Sequence, residues 1–241
     1  FKTNSLNKAY ILKHLSKTKF LKKYIYISTP EIFGSTKNFI SEKNEIFKPS
    51  TPYATSKLGA EMILKNYFDS YKLPIIITRF SNFYGPGQPI YRLIPKVIAS
   101  IDKKIKFPIE GGGSTVRNFI FSYDFCNGIY KTLLKGKIGD VYHFSGKRFY
   151  KIIDVVKIIC LLKSYKLKSL VKKTKTRIGQ DFIYKLGTSK TRRKLTWRPI
   201  YSLEKGLKEV IVYHKRNFNK IPKKYFTYND KSFKKLNVIS K

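Results

Sequence analysis

Between Asn4 and Lys17 apolar side chains fall at Leu6, Ala9, Tyr10, Leu12 and Leu15, close to helical spacing, and the β-rich run Lys23-Tyr-Ile-Tyr-Ile-Ser28 follows. Helix into strand is the first unit. Loop chemistry from Gly34 to Ser50 leads to Thr51-Pro52, an N-cap followed by proline at the first helical position, which predicts a helix to about Ser70. Pro74 to Thr78 is a solid β-branched run, a pattern that suits a central parallel strand covered on both faces. A Gly-Pro-Gly turn at Gly85 to Gly87 precedes a helix from about Tyr91 to Asp102. Gly111 to Gly113 read as a plain loop, since no strand directly precedes them and no Gly-Lys-Ser/Thr ending follows. Strand character at Asn118 to Phe121, a short helix from Asp124 to Leu134 and a strand at Val141 to Ser145 continue the alternation. Two amphipathic helices, Ile152 to Leu162 and Ser202 to Val212, flank a basic stretch, and after Asn217 the periodicity fades into a Lys- and Asn-rich tail. Alternating strand and helix predict an α/β architecture.

Composition narrows the picture. The 241 residues are 42% apolar and 15% aromatic, enough to bury a core and to argue against disorder. Lys plus Arg number 51 against 14 acidic residues, a formal charge of +37. Such charge attracts polyanions without a specific pocket. Only nine of the 51 are Arg, however, and the Lys excess is spread along the chain with abundant Ile, Phe, Tyr and Asn, all encoded by AT-rich codons. Genome composition accounts for that, with non-specific nucleic-acid affinity as a by-product. Cys126 and Cys160 lie in apolar runs without metal-ligand spacing, so buried thiols in a reducing, cytoplasmic setting are expected, and no metal. The longest apolar run, Val155 to Leu162, is interrupted by Lys157 and falls far short of the roughly 20 residues that span a bilayer. No membrane partner is expected. The chain begins at Phe1 without Met, inside a helical pattern, so a preceding segment is expected.

Candidate chemistry centres on Tyr53 and Lys57, four residues apart on the helix opened by Thr51-Pro52 and therefore on one face. An ammonium one turn away stabilises phenolate over phenol and makes the tyrosine a usable proton acceptor for a hydroxyl being oxidised. The same spacing also fits an amphipathic helix with a solvated lysine.

The surrounding motifs favour the first reading. Pro49-Ser-Thr-Pro-Tyr-Ala-Thr-Ser-Lys-Leu-Gly-Ala-Glu61 resembles the active-site helix of the extended short-chain dehydrogenase/reductases, the nucleotide-sugar epimerases and dehydratases. Ile27-Ser-Thr-Pro-Glu-Ile-Phe-Gly34 resembles the family's strand-end motif, and Arg79-Phe-Ser-Asn-Phe-Tyr-Gly-Pro86 its Arg-x-x-Asn-x-Tyr-Gly-Pro signature. Arg92-Leu-Ile-Pro95, Arg117-Asn-Phe-Ile-Phe-Ser-Tyr-Asp124, Arg177-Ile-Gly-Gln-Asp181 and the closing Ser189-Lys190 and Leu195-Thr-Trp-Arg-Pro199 follow in family order. Asn118, His143 and Gly187 depart from it, standing where the family usually has Asp, Asn and Asp.

The resemblance implies a Rossmann-type doubly wound parallel sheet, lacking its N-terminal part, with a smaller C-terminal α/β substrate-binding domain. Residues 1–85 and 117–146 fall to the cofactor domain, and 86–116 and 147–241 to the substrate domain and basic tail. It implies NAD, with Ser28, Tyr53, Lys57 and Phe80 at the cofactor. Catalysis falls to Tyr53 as base for a sugar C4 hydroxyl, Lys57, Thr29 and Glu31. Asn82, Arg92, Arg117, Arg177 and Asp181 are implied for the nucleotide-diphosphate sugar, and a homodimer is built on the Tyr53 helix and its neighbour.

Glu31, two positions beyond Thr29, matches the C5 base of the 4,6-dehydratases, and a parent protein that makes precursors for surface polysaccharide is expected. Pro30 stands where the dTDP-glucose enzymes place a proton-donating Asp. Dehydration is the first expectation, with 4-epimerisation or UDP-glucuronate decarboxylation the alternatives. The glycine-rich pyrophosphate fingerprint is absent from these residues, so a fragment is expected, and an inactive fragment acting at most as a basic polyanion-binding module is the reading from another class.

Overall fold

The computed structural model describes residues 1–176, 179 and 181–217. Its helices are α1 (Asn7–Leu15), α2 (Pro52–Tyr71), α3 (Leu93–Asp102), α4 (Ser122–Lys135), α5 (Ile152–Leu162), α6 (Leu167–Leu170), α7 (Ser189–Leu195) and α8 (Leu203–Asn217). The strands are β1 (Tyr24–Ser28), β2 (Ile75–Phe80), β3 (Asn82–Tyr84), β4 (Phe107–Glu110), β5 (Val116–Phe121), β6 (Val141–Phe144), β7 (Phe149–Lys151) and β8 (Val171–Thr174). A wholly parallel sheet has the order β1-β2-β6, and its central strand β2 is buried along nearly its whole length, as its β-branched run predicts. A second sheet pairs β5 with β3 in parallel and with β7 antiparallel, and β4 pairs with β8 in a third.

Four apolar clusters result among the described residues, two of which join the sheets. One lies on the β1-β2-β6 sheet, where Ile76, Phe80, Tyr142 and Phe144 pack with Ile120, Leu195 and Trp197. The other gathers Tyr84, Ile98, Phe107, Phe121, Val156, Ile159 and Leu207 from α3, α5, α8 and the smaller sheets. Burying each such side chain is worth about 1.5–3 kcal/mol. Trp197 is fully buried, with its indole N–H donating to the Asp124 carbonyl at 3.1 Å. It thus packs on the first core, across the boundary that sequence places at residue 147. β5 likewise joins β3 and β7 and not the β1-β2-β6 sheet.

Cys160 is buried as expected, but Cys126 is exposed. The buried face of α4 is Asp124, Gly128 and Thr132, and Cys126 sits about 200° around the helix from Asp124, so the apolar run that contains it does not predict its side. Among the described residues no helix is long and apolar enough to cross a membrane.

Candidate active site

The carboxyl end of β1 runs directly into the first group of site residues. Thr29 has extended backbone and caps a 3-10 helix over Pro30–Phe33, its hydroxyl accepting from the Glu31 amide at 3.3 Å. Gly34 ends that turn at φ +65°, with the Lys48 carbonyl so close that any Cβ would collide with it. Across the gap, Thr51 caps α2 by accepting from the Ala54 amide at 3.1 Å, and Pro52 occupies the first turn. This sets Tyr53 and Lys57 on the helix face toward β1. The Tyr53 phenol meets the Thr29 hydroxyl in a hydrogen bond, and the Glu31 carboxylate and Arg92 guanidinium are near enough to act on it.

The Tyr53 phenol is pushed above its ordinary value, first by burial and then by the Glu31 carboxylate, while Arg92 and the Thr29 hydroxyl pull the other way. This corrects the expectation that Lys57 lowers it. The Lys57 ammonium is spent on other groups: it donates to the Ile27 carbonyl at 2.6 Å and stands 4.3 Å from the centre of the Tyr26 ring. Lys57 itself is brought down to about 8, by burial first and then by Lys8, against the Glu61 carboxylate, which raises it.

One cleft of about 1290 Å³ is lined by Ser28, Thr29, Glu31, Tyr53, Lys57, Phe80, Asn82, Arg92, Arg117 and Asp181. Arg177 lies outside the described residues. At the far end the charged groups hold the protein together. Arg117 donates to the carbonyls of Val116 at 2.8 Å, Phe182 at 3.1 Å and Asp181 at 2.8 Å, and its guanidinium lies 4.7 Å from the centre of the Tyr184 ring. The Asp181 carboxylate accepts from Ser35 at 3.4 Å, and Asn82 accepts from the Tyr184 hydroxyl. Arg92 is exposed at the start of α3. Phe80 is committed to the core, its ring 4.2 Å from that of Phe144 and 4.4 Å from that of Phe125.

A family model described as GDP-mannose 4,6 dehydratase matches residues 1–210. The chain belongs to that family. The chain's resemblance to the nucleotide-sugar epimerases and dehydratases extends to solved structures. The dTDP-glucose 4,6-dehydratase DesIV of Streptomyces venezuelae, with NAD and TYD bound, superposes with a TM-score of 0.87 at 29% identity, over 91% of this chain and 67% of that one. The UDP-glucuronic acid 4-epimerase of Bacillus cereus, in complex with UDP-glucuronic acid and NAD, gives 0.84 at 26% identity, over 88% and 67%. Human dTDP-D-glucose 4,6-dehydratase is 31% identical over 204 residues, 83% of this chain and 58% of the human protein. The chain therefore spans less than two thirds of that relative's length.

Within this member of the GDP-mannose 4,6 dehydratase family the β1 end of the cleft offers donors that fit a nicotinamide nucleoside. The Ser28 hydroxyl, 5% exposed, has no hydrogen-bond partner among the described residues, and one of the three Lys57 N–H groups is spent on Ile27. Sequence reasoning missed Tyr184, which carries no local signal, and Glu61, whose signal was the repetition of the four-residue step from Tyr53 through Lys57. Of the departures from the family pattern, Asn118 is fully buried, donates to the Gly146 carbonyl at 3.0 Å and the Arg148 carbonyl at 2.7 Å, and accepts from the Gly146 amide.

Proposed function

We propose that this chain carries the reacting face of an NAD-dependent nucleotide-sugar enzyme working through a 4-keto intermediate, and that the reaction is 4,6-dehydration of a nucleoside-diphosphate hexose. The observation that supports it is the convergence of Thr29, Glu31, Tyr53 and Lys57 on one cleft. Tyr53, whose phenolate the Arg92 guanidinium and the Thr29 hydroxyl favour against burial, takes the proton of the sugar C4 hydroxyl while the Thr29 hydroxyl holds the C4 oxygen. Lys57 and Ser28 hold the cofactor ribose and carboxamide, and the cleft wall at Phe80 bounds that space. NAD, when bound, supplies the two-electron acceptor and returns the electrons at the end. With a ketone at C4 the C5 proton is acidic, and Glu31 removes it as the C6 hydroxyl departs. Asn82, Arg92, Arg117 and Asp181 serve the nucleotide diphosphate, Arg92 as the exposed cation best placed to swing onto phosphate.

Incubation with NAD and dTDP-, UDP-, GDP- and CDP-hexoses should yield a 4-keto-6-deoxy sugar, and Glu31→Gln should stop C6 loss while oxidation at C4 persists. Return of every sugar solely as its C4 epimer would overturn dehydration. One observation favours that second reading: Pro30 is buried at the cleft and has no proton to give the departing hydroxyl. 4-Epimerisation or decarboxylation of a uronic acid needs no such donor. A cytoplasmic homodimer packed through α1 and α2 completes the proposal. Tyr10, Ile11 and Met62, each more than 40% exposed on those helices, support it, and light scattering after size exclusion tests it.

A further inference from the structure

Tyr53, Lys57 and Glu61 follow one another at four-residue intervals on α2 and so share a stripe of that helix. The Glu61 carboxylate at the end of the stripe is 1% exposed and receives two donors of Arg79 on β2, Nε at 3.1 Å and Nη2 at 2.6 Å. The remaining nitrogen, Nη1, lies 3.2 Å from Nε2 of His143 on β6. Burial, with the guanidinium, takes His143 down to about 3, so the ring is neutral. Nε2 therefore accepts from Arg79, and the proton sits on Nδ1. The Phe33 and Phe47 ring centres stand 4.9 and 5.5 Å from the guanidinium carbon. A line of polar contacts thus runs from α2 through β2 to β6. A buried pair of this kind contributes little net stability over apolar residues of the same shape, so stability alone does not account for it.

We propose that Arg79 is a positioning residue: gripping Glu61 on one side and His143 on the other, it fixes α2 against the carboxyl ends of β1 and β2 and holds the Glu61 carboxylate one turn from Lys57, where it favours the ammonium beside Tyr53. This rests on the reading of Tyr53 and Lys57 as the reacting pair. The groups around Lys57 leave Glu61 a distinct task. Lys8 on α1 opposes its charge, the Ile27 carbonyl and Tyr26 ring on β1 receive it, and Glu61 raises its affinity for the proton.

Competitive amine acylation of the full chain across pH, read by mass spectrometry at the peptide bearing Lys57, measures the charge of that one side chain. The wild-type midpoint should fall near 8. In Glu61→Gln it should drop by about one pH unit, the scale on which a close opposite charge acts. The neutral pair Glu61→Gln with Arg79→Met should regain the urea midpoint of the wild type, because neither buried charge is left alone, yet keep the low Lys57 midpoint. Should Glu61→Gln alone fail to fold, the neutral pair carries the test. A wild-type Lys57 midpoint in the neutral pair would overturn the proposal. Because the readout needs neither sugar nor NAD, it is separable from turnover by Tyr53→Phe, which tests the reading on which it rests.

Discussion

The two ends of the cleft spend their polar side chains differently. At the β1 end Thr29 and Glu31 belong to one short turn, Tyr53 and Lys57 to one helical face, and all four line the cleft. At the far end Arg117 and Asp181 are occupied with carbonyls and with Ser35, more than 60 residues away along the chain in every case but that of Val116. The near end is preorganised by local structure, whereas the far end is a strap held by long-range bonds. Damage at the first should appear in chemistry, and damage at the second in stability and substrate affinity.

The largest effect expected is from Tyr53→Phe. Removing a positioned acid or base costs about 10²–10⁴-fold in rate, whereas loss of the bond to Thr29 should shift the unfolding curve by no more than about 0.5–1.5 kcal/mol. A rate within tenfold of wild type would break the contrast from one side. Arg117→Ala tests the other: losing hydrogen bonds from a charged group costs about 1.5–3 kcal/mol of stability in urea titration, and KM should rise more than kcat falls. If kcat collapses while KM holds, Arg117 acts on the reacting atoms and the division fails.

A smaller effect comes from pH. Lys57 binds its proton with a value near 8 in the folded chain against an ordinary 10.5. Between those values the unfolded chain holds more protons than the folded one, so stability climbs with pH across that window, and below it the cost of burying the ammonium is carried in full. Lys57→Met should flatten the climb, and urea midpoints rising equally in variant and wild type would remove Lys57 as its source. Smallest of all is Lys65→Ala. Its ion pair with Glu45, at 2.7 Å, lies between side chains 54% and 74% exposed, so the change should stay within about 1 kcal/mol in thermal melts.

Much of this site was legible in the sequence because its signals are local. A capping threonine before proline sets the start of α2, and a four-residue step sets one face. The strand-end Thr29 and Glu31 are likewise separated from β1 by no more than three residues. The far end was legible only as a roster of residues. That Arg117 would reach the carbonyls of Asp181 and Phe182, and Tyr184 the side chain of Asn82, depends on how two distant segments meet. Cys126 shows the same limit in small: an apolar run names a helix without saying which of its faces is wet.

Periodicity, caps and turn chemistry therefore determined which stretches became strands and helices and which side chains share a face, since each of those depends on neighbours within a turn or two. Pairing across the fold was decided by tertiary structure alone. The direction in which Tyr53 titrates, the partner that claims the Lys57 ammonium and the burial of Glu61, Arg79 and His143 all follow from charges and carbonyls that the chain brings close only when β1, β2 and β6 lie side by side.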